Sequence, residues 1–274
     1  MTTTTAPTRP MPLRDSATML RRSIKHIRRY PEMTLMLAGM PVIFLLLFVY
    51  VFGGTLGAGL GGAGAGRAEY LAYVVPGILL MTIGTAGTGT AVSVATDMTE
   101  GIVARFRTMA IARVSILTGH VVGSLIQTML ATAIVLAVAL AIGYRPEAGP
   151  LGWLGVVGMT VLATFGITWL CVALGLAARS PETASNTPMP LSLLPFLGSG
   201  FVPTDSLPAG LRQFAEYQPF TPIIETLRAL LTGAPVGTGT AVAALAWSGG
   251  IALVGYVWAK RRYNQVGLTG GTGR

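Results

Sequence analysis

Between Glu147 and Arg179 the chain reads Ala148-Gly-Pro-Leu-Gly-Trp-Leu-Gly-Val-Val-Gly-Met-Thr-Val-Leu-Ala-Thr-Phe-Gly-Ile-Thr-Trp-Leu-Cys-Val-Ala-Leu-Gly-Leu-Ala-Ala178, without an Asp, Glu, Lys or Arg. A helix of this length, rising ~1.5 Å per residue, exceeds a hydrocarbon core of about 30 Å. A soluble core rarely excludes charge so completely, because a surface helix keeps a polar outer face. Charge-free apolar runs also separate Glu32 from Arg67, Glu69 from Asp97, Arg113 from Arg145, Glu182 from Asp205, and Arg228 from Lys260. The pattern predicts an all-α integral membrane protein whose transmembrane domain covers residues 31–263. Its six spans fall at about 33–52, 71–95, 116–142, 151–177, 187–202 and 239–259. The fifth is barely long enough, and Pro188, Pro190 and Pro195 interrupt it. Pro41 predicts a kink in the first. Residues 53–66, nearly all Gly and Ala, read as a loop or as a low-complexity extension of the first span.

Composition agrees. Only 11% of residues are charged and 52% are hydrophobic, against roughly 25% charged in soluble domains. The net charge of +9 could suggest a nucleic-acid partner, but its distribution argues for topology instead. With both termini in the cytoplasm, the inner segments hold all but four of the 19 basic residues; Arg67, Arg145, Arg212 and Arg228 fall outside. The opposite orientation would invert the positive-inside rule. The reading is therefore a multi-pass protein of the plasma (inner) membrane, with no nucleic-acid partner and with contact to membrane lipid. A cleavable signal peptide is not expected, since the first apolar run lies behind a long polar and basic segment.

Several activities lack their residues. Cys171 is the only cysteine and His26 and His120 the only histidines, so neither a disulfide nor a Cys/His metal site is expected. No P-loop exists, because neither Lys25 nor Lys260 follows Gly or precedes Ser or Thr. No carboxylate falls in the middle of a span, where ion-coupled carriers place one. His120, near the inner end of span 3, is the nearest titratable candidate, and packing at the interface explains it as well. The chain is read as a non-enzyme, with no catalytic, cofactor or metal site of its own.

Residues 1–12 are Thr- and Pro-rich and read as a disordered tail. In 13–30, Leu13, Ala17, Leu20, Ile24 and Ile27 form one helical face, with Arg21, Arg22, Arg28 and Arg29 among the basic residues off it. Such a segment is either an interfacial amphipathic helix or a plain topology anchor. The inner loop 97–113 is longer than a turn. Ile102, Val103 and Phe106 share a face that leaves Arg105 and Arg107 aside; the loop is either a docking helix beneath the membrane or a charged loop that obeys the positive-inside rule. Between spans 5 and 6, Leu211, Phe214 and Ala215 suggest one short helix. Thr221 as N-cap, Pro222 at the first position, Glu225 in the first turn and Gly233 as the stop define a second. The face of Ile223, Ile224, Leu227, Leu230 and Leu231 makes it apolar, and at ~15 Å it is too short to cross. Either two re-entrant outer helices or a surface hairpin would satisfy this pattern. Residues 264–274 form a cytoplasmic tail.

Taken together, these segments resemble the membrane subunit of ABC-2-type exporters, and in particular the daunorubicin-resistance-type permeases. The strongest match is the outer stretch Gly198-Ser-Gly-Phe-Val-Pro-Thr-Asp-Ser-Leu-Pro, followed by Gln218-Pro-Phe-Thr-Pro222 and an Ile/Leu helix carrying Arg228. The second is Glu100-Gly101 ahead of the basic loop Arg105–Arg113. Many relatives carry a proline after those arginines; here Thr108-Met-Ala-Ile-Ala-Arg113 has none.

The resemblance implies a type V exporter-like plan. Residues 13–30, with Arg21, Arg22, Arg28 and Arg29, would be the connector helix. Glu100, Gly101, Ile102, Arg105, Phe106, Arg107 and Arg113 would couple to a separate ABC ATP-binding subunit, which carries ATP and Mg. Pro203, Pro208, Gln218, Pro219, Pro222, Glu225 and Arg228 would form the re-entrant outer gate. A second permease copy, or a related permease, would complete a dimer exporting a lipophilic substrate such as a drug, polyketide or lipid, as in efflux and antibiotic resistance. The alternative is a secondary ion-coupled drug carrier, for which His120 would have to be essential.

Overall fold

The computed structural model describes residues 29, 31–60, 66–99 and 113–269, and helices make up the regular structure found there. The segments expected as a disordered tail (1–12), as most of the connector helix (13–30) and as the coupling loop through residue 112 lie outside the described residues.

α1 (Pro31–Leu47) runs through Pro41 without ending and passes by a π-helical turn, Phe48–Phe52, into α2 (Gly53–Ala58). Of the two readings of residues 53–66, the extension of the first span holds as far as Ala58. Gly propensity alone would not favour helix there. Packing does, because Gly53 and Gly57 are buried against the start of the next helix. A Cβ at Gly57 would overlap the backbone of Gly66.

α3 (Arg67–Thr99) is the most enclosed helix, buried on all sides through much of its length. α4 (Arg113–Ala141) and α5 (Pro150–Ala177) follow; Pro150 sits in the first turn of α5 behind the extended Gly149. The segment between the expected spans 4 and 5 forms α6 (Pro181–Asn186). Ser180 caps it by accepting a hydrogen bond from the Thr183 N–H at 3.3 Å.

The stretch expected as span 5 is not one continuous helix. It consists of α7 (Met189–Leu193), a 3-10 turn at Leu194–Leu197 and an extended Gly198. Pro190 and Pro195 lack the N–H that continuation of the helix requires. The broken segment still follows α3 closely. A Cβ at Gly84 would lie 3.0 Å from the Ser192 Cα, and one at Gly77 would lie 2.5 Å from the Gly200 carbonyl oxygen. These contacts are seven α3 residues apart, or ~10 Å. Phe44 of α1 and Phe48 of the π-helical turn pack against Phe196 and Phe201, whose rings stack at 4.3 Å.

A 3-10 turn (Thr204–Ser206) leads to α8 (Ala209–Tyr217), α9 (Phe220–Leu231) and α10 (Thr238–Thr269). Gly233, at φ +68°, ends the α9 segment as expected. α10 runs parallel to α5 in close contact. A Cβ at Gly166 would meet the Ser248 carbonyl oxygen at 2.7 Å, and one at Gly255 would meet the Leu170 nitrogen at 2.5 Å.

Among the described residues, five helices are long and apolar enough to cross a membrane: Glu32–Ala58, Arg67–Thr99, Thr118–Ala141, Pro150–Ala177 and Thr238–Gln265. The large core cluster joins α1, α3, α4, α5 and α9. A smaller one, with Val94, Val121, Trp169, Val172, Ala259 and Tyr263, joins α3, α4, α5 and α10 at the other end.

Candidate functional site at the end of the bundle where α3 begins

A helix interrupted within an apolar environment frees carbonyl groups that its own backbone no longer satisfies, and each then needs another donor. The broken segment after α7 has this problem, and side chains from three elements answer it. Gln218 Nε2 donates to the Leu194 carbonyl at 3.0 Å. Arg228 donates through a terminal nitrogen to the Ser199 carbonyl. Tyr70 Oη donates to the Phe201 carbonyl at 3.2 Å.

Arg228 does more than cap one group. Its Nε and a terminal nitrogen also reach the Tyr73 carbonyl, at 3.4 and 3.3 Å. Its guanidinium carbon lies 3.8 Å from the centre of the Tyr73 ring. One side chain of α9 thus binds α3 by backbone and ring, and the broken segment by backbone. A planar guanidinium presents donors in several directions and a flat face to an aromatic ring, which a lysine cannot match. Pro76 lies just beyond, inside α3, and Gly77 meets Gly200 there. Glu225 and the buried Tyr144 face the same guanidinium. Burial pushes the Tyr144 hydroxyl up to about 12, against the pull of the Arg228 charge, so the phenol is neutral at physiological pH.

The prolines expected to shape this region divide into two roles. Pro203, Pro208 and Pro219 each immediately precede a helical element, with φ of −57°, −56° and −62°. Pro222 lies inside α9. The helix starts at Phe220, so Thr221 is not its N-cap and Glu225 falls beyond the first turn. The Thr221 hydroxyl instead donates to the Ala215 carbonyl, and it lies 3.3 Å from Gln218 Nε2 and 3.4 Å from the Ser199 nitrogen. Bonding back to the preceding turn outweighs capping because it ties α9 to both α8 and the broken segment. The apolar face of α9 is as expected: Ile223, Ile224, Leu227 and Leu231 are at most 2% exposed. Leu230 packs over Gly155 of α5, and the Leu231 carbonyl accepts from the Glu147 N–H at 2.9 Å.

Gln218, Pro219, Pro222, Glu225 and Arg228 are therefore brought together, with Pro203 and Pro208 on the connection leading to them. The sequence missed Tyr73, Ser199 and Tyr144 as partners of Arg228. A buried Arg in a polar-poor segment was the available signal, but its partners lie 29 to 155 residues away in sequence. Arg212 pairs with Asp205 at 2.6 Å and Glu216 at 2.7 Å on the exposed side of α8, away from this network.

Glu100, Gly101, Ile102, Arg105, Phe106 and Arg107 lie outside the described residues, as do Arg21, Arg22 and Arg28. Arg29 is an exposed helical residue, and Arg113 opens α4. His120 Nε2 lies 2.9 Å from Asp97 Oδ2, a pairing the sequence did not reveal. Among the described residues no group of three or more His, Cys, Asp or Glu is arranged to hold a metal ion.

Comparison with known proteins adds an independent finding. Residues 15–232 match the model of the ABC-2 type transporter family. The chain is 28% identical over 229 residues to the daunorubicin resistance ABC transporter permease protein DrrB1 of Streptomyces coeruleorubidus, covering 83% of this chain and 78% of that one. It is 23% identical over 181 residues to the probable doxorubicin resistance ABC transporter permease protein DrrC of two Mycobacterium tuberculosis strains, covering 66% of this chain and 65% of theirs.

Proposed function

We propose, from the premise that this chain belongs to the ABC-2 type transporter family, that it is the membrane-spanning permease of an exporter driven by ATP hydrolysis on a separate ATP-binding subunit. The substrate is lipophilic or amphipathic, such as a drug, polyketide or lipid. The observation that carries the reading is the Arg228 network. α9 is too short to cross, yet it is buried between α3, α5 and α10 and bonded to both α3 and the broken segment. A short helix held by a few breakable polar bonds suits an exit gate, and the small, uncharged side chains of the spans suit a lipophilic cargo better than a hydrated ion.

The reading counts six crossings. Parallel α5 and α10 need a return crossing between them, and the broken segment alongside α3 supplies it. α8 and α9 are the re-entrant outer helices, and both termini are cytoplasmic by charge asymmetry. Residues 13–30 serve as connector helix. Glu100, Gly101, Ile102, Arg105, Phe106, Arg107 and Arg113 couple to the ATP-binding subunit, where ATP and Mg bind. A second permease, identical or related, completes the path. Closure of the ATPase dimer pushes the inner ends of α3 and α4, the helices tilt, and the α9 gate releases cargo outward.

A mild-detergent pull-down from native membranes tests this. Stoichiometric recovery of a cytosolic ABC ATPase is expected, and Phe106→Asp should abolish it while the permease stays folded. A folded preparation that brings down no ATPase overturns the proposal and moves weight to an ion-coupled carrier.

A further inference from the structure

The inner ends of α3 and α4 are tied twice. His120 Nε2 lies 2.9 Å from Asp97 Oδ2. Seven residues back along α3, Thr90 Oγ1 lies 2.9 Å from Ser124 Oγ. Asp97 and Thr90 share one face of α3, and His120 and Ser124, four apart, share one face of α4. Two ties, ~10 Å apart along α3 and ~6 Å apart along α4, on one seam of antiparallel helices restrain both their separation and their slip.

Stability alone does not explain the tie nearer the helix ends. The side chains of His120 and Asp97 are 22% and 31% exposed, so the pair sits at the edge of the packed core rather than within it. The apolar contacts of Val94, Val121, Trp169 and Val172 beside them already hold the helices together. The other cross-element side-chain bonds described above lie at the opposite end of the bundle. A polar pair costly to keep near a membrane stands where α3 ends and α4 begins, the two helices that the connecting loop joins.

We propose that Asp97 and His120 are a positioning pair that locks the inner ends of α3 and α4 into one lever, so that a push at either end moves both helices together. The inference rests on the exporter reading. Without the pair, the push is absorbed as slip between the helices, and ATP is spent with less cargo moved. Neither residue touches cargo or nucleotide.

The test uses Asp97→Asn, His120→Gln and the exchange Asp97→His with His120→Asp, each in the full chain with Cys171→Ala. Spin labels at Thr99 and Val122 in lipid nanodiscs report the spacing of the two inner ends without any partner. In the assembled complex, cargo moved per ATP hydrolysed reports the coupling. Each single variant should broaden the distance distribution and lower cargo per ATP by at least ~5-fold at normal complex recovery. The exchange should restore both readings. Single variants with an unchanged distance distribution, unchanged cargo per ATP, or no restoration by the exchange overturn the proposal. A wild-type chain that recovers no ATPase overturns the exporter reading instead, and restoration of the spacing by the exchange still supports the tie between the helices.

Discussion

The guanidinium of Arg228 lies over the ring of Tyr73, 3.8 Å from its centre, while reaching the carbonyl of the same residue. Face and backbone of one tyrosine are thus read by a single cation, which also holds Ser199. Arg228→Lys keeps the charge but loses the planar, multi-directional donor set. It should destabilise the permease nearly as much as Arg228→Ala, by about 3 kcal/mol, given ~1.5–3 kcal/mol for a hydrogen bond to a charged group. Thermal unfolding in detergent checks this; a Lys variant that melts like wild type would show that charge alone suffices.

Gln218→Leu removes the donor to the Leu194 carbonyl at nearly constant volume. Leaving that carbonyl without its partner should cost ~1–3 kcal/mol and raise hydrogen exchange around residues 194–198. Unchanged exchange there would mean that another group satisfies the carbonyl.

Two glycines of α3 should respond in opposite directions to the same change. Gly77→Ala drives a Cβ to 2.5 Å from the Gly200 carbonyl oxygen, whereas the exposed Gly89 has nothing within 4 Å of an added Cβ. Gly77→Ala should destabilise by ~1–3 kcal/mol through overpacking. Gly89→Ala should stabilise by roughly 0.5–1 kcal/mol as helix propensity improves. Unfolding midpoints moving in the same direction would refute the close approach of α3 and the broken segment.

Cys171 is fully buried against Gly87. Maleimide should leave the native permease unmodified and label it only after denaturation. In a Cys171→Ala background, Ser206→Cys should react with an impermeant thiol reagent on intact cells, and Asn264→Cys only after permeabilisation. The reverse pattern would invert the topology.

The sequence makes the long helices legible because each is bounded by charge, and charge exclusion is a local property. The apolar face of α9 and its stop at Gly233 are legible for the same reason. Pro188, Pro190 and Pro195 mark span 5 as interrupted, yet its course along α3 depends on Gly77 meeting Gly200, two residues far apart in the chain. Thr221 misleads because an N-cap pattern is local, whereas its hydroxyl bonds back to Ala215 of the preceding helix. The Asp97–His120 pair is invisible in one dimension, since an intervening loop brings the two residues together. Helix existence follows from composition along the chain; the polar bonds between elements follow from which helices become neighbours.

The donors that complete the broken span also fix an order of biogenesis. Tyr70 and Tyr73 are synthesised well before residues 194–201, but Gln218 and Arg228 emerge after them. When the broken segment leaves the ribosome, its Leu194 and Ser199 carbonyls therefore lack their later partners. The bonds to Leu194 and Ser199 can therefore close only after α9 has been translated, so the broken segment and α9 complete their bonding together.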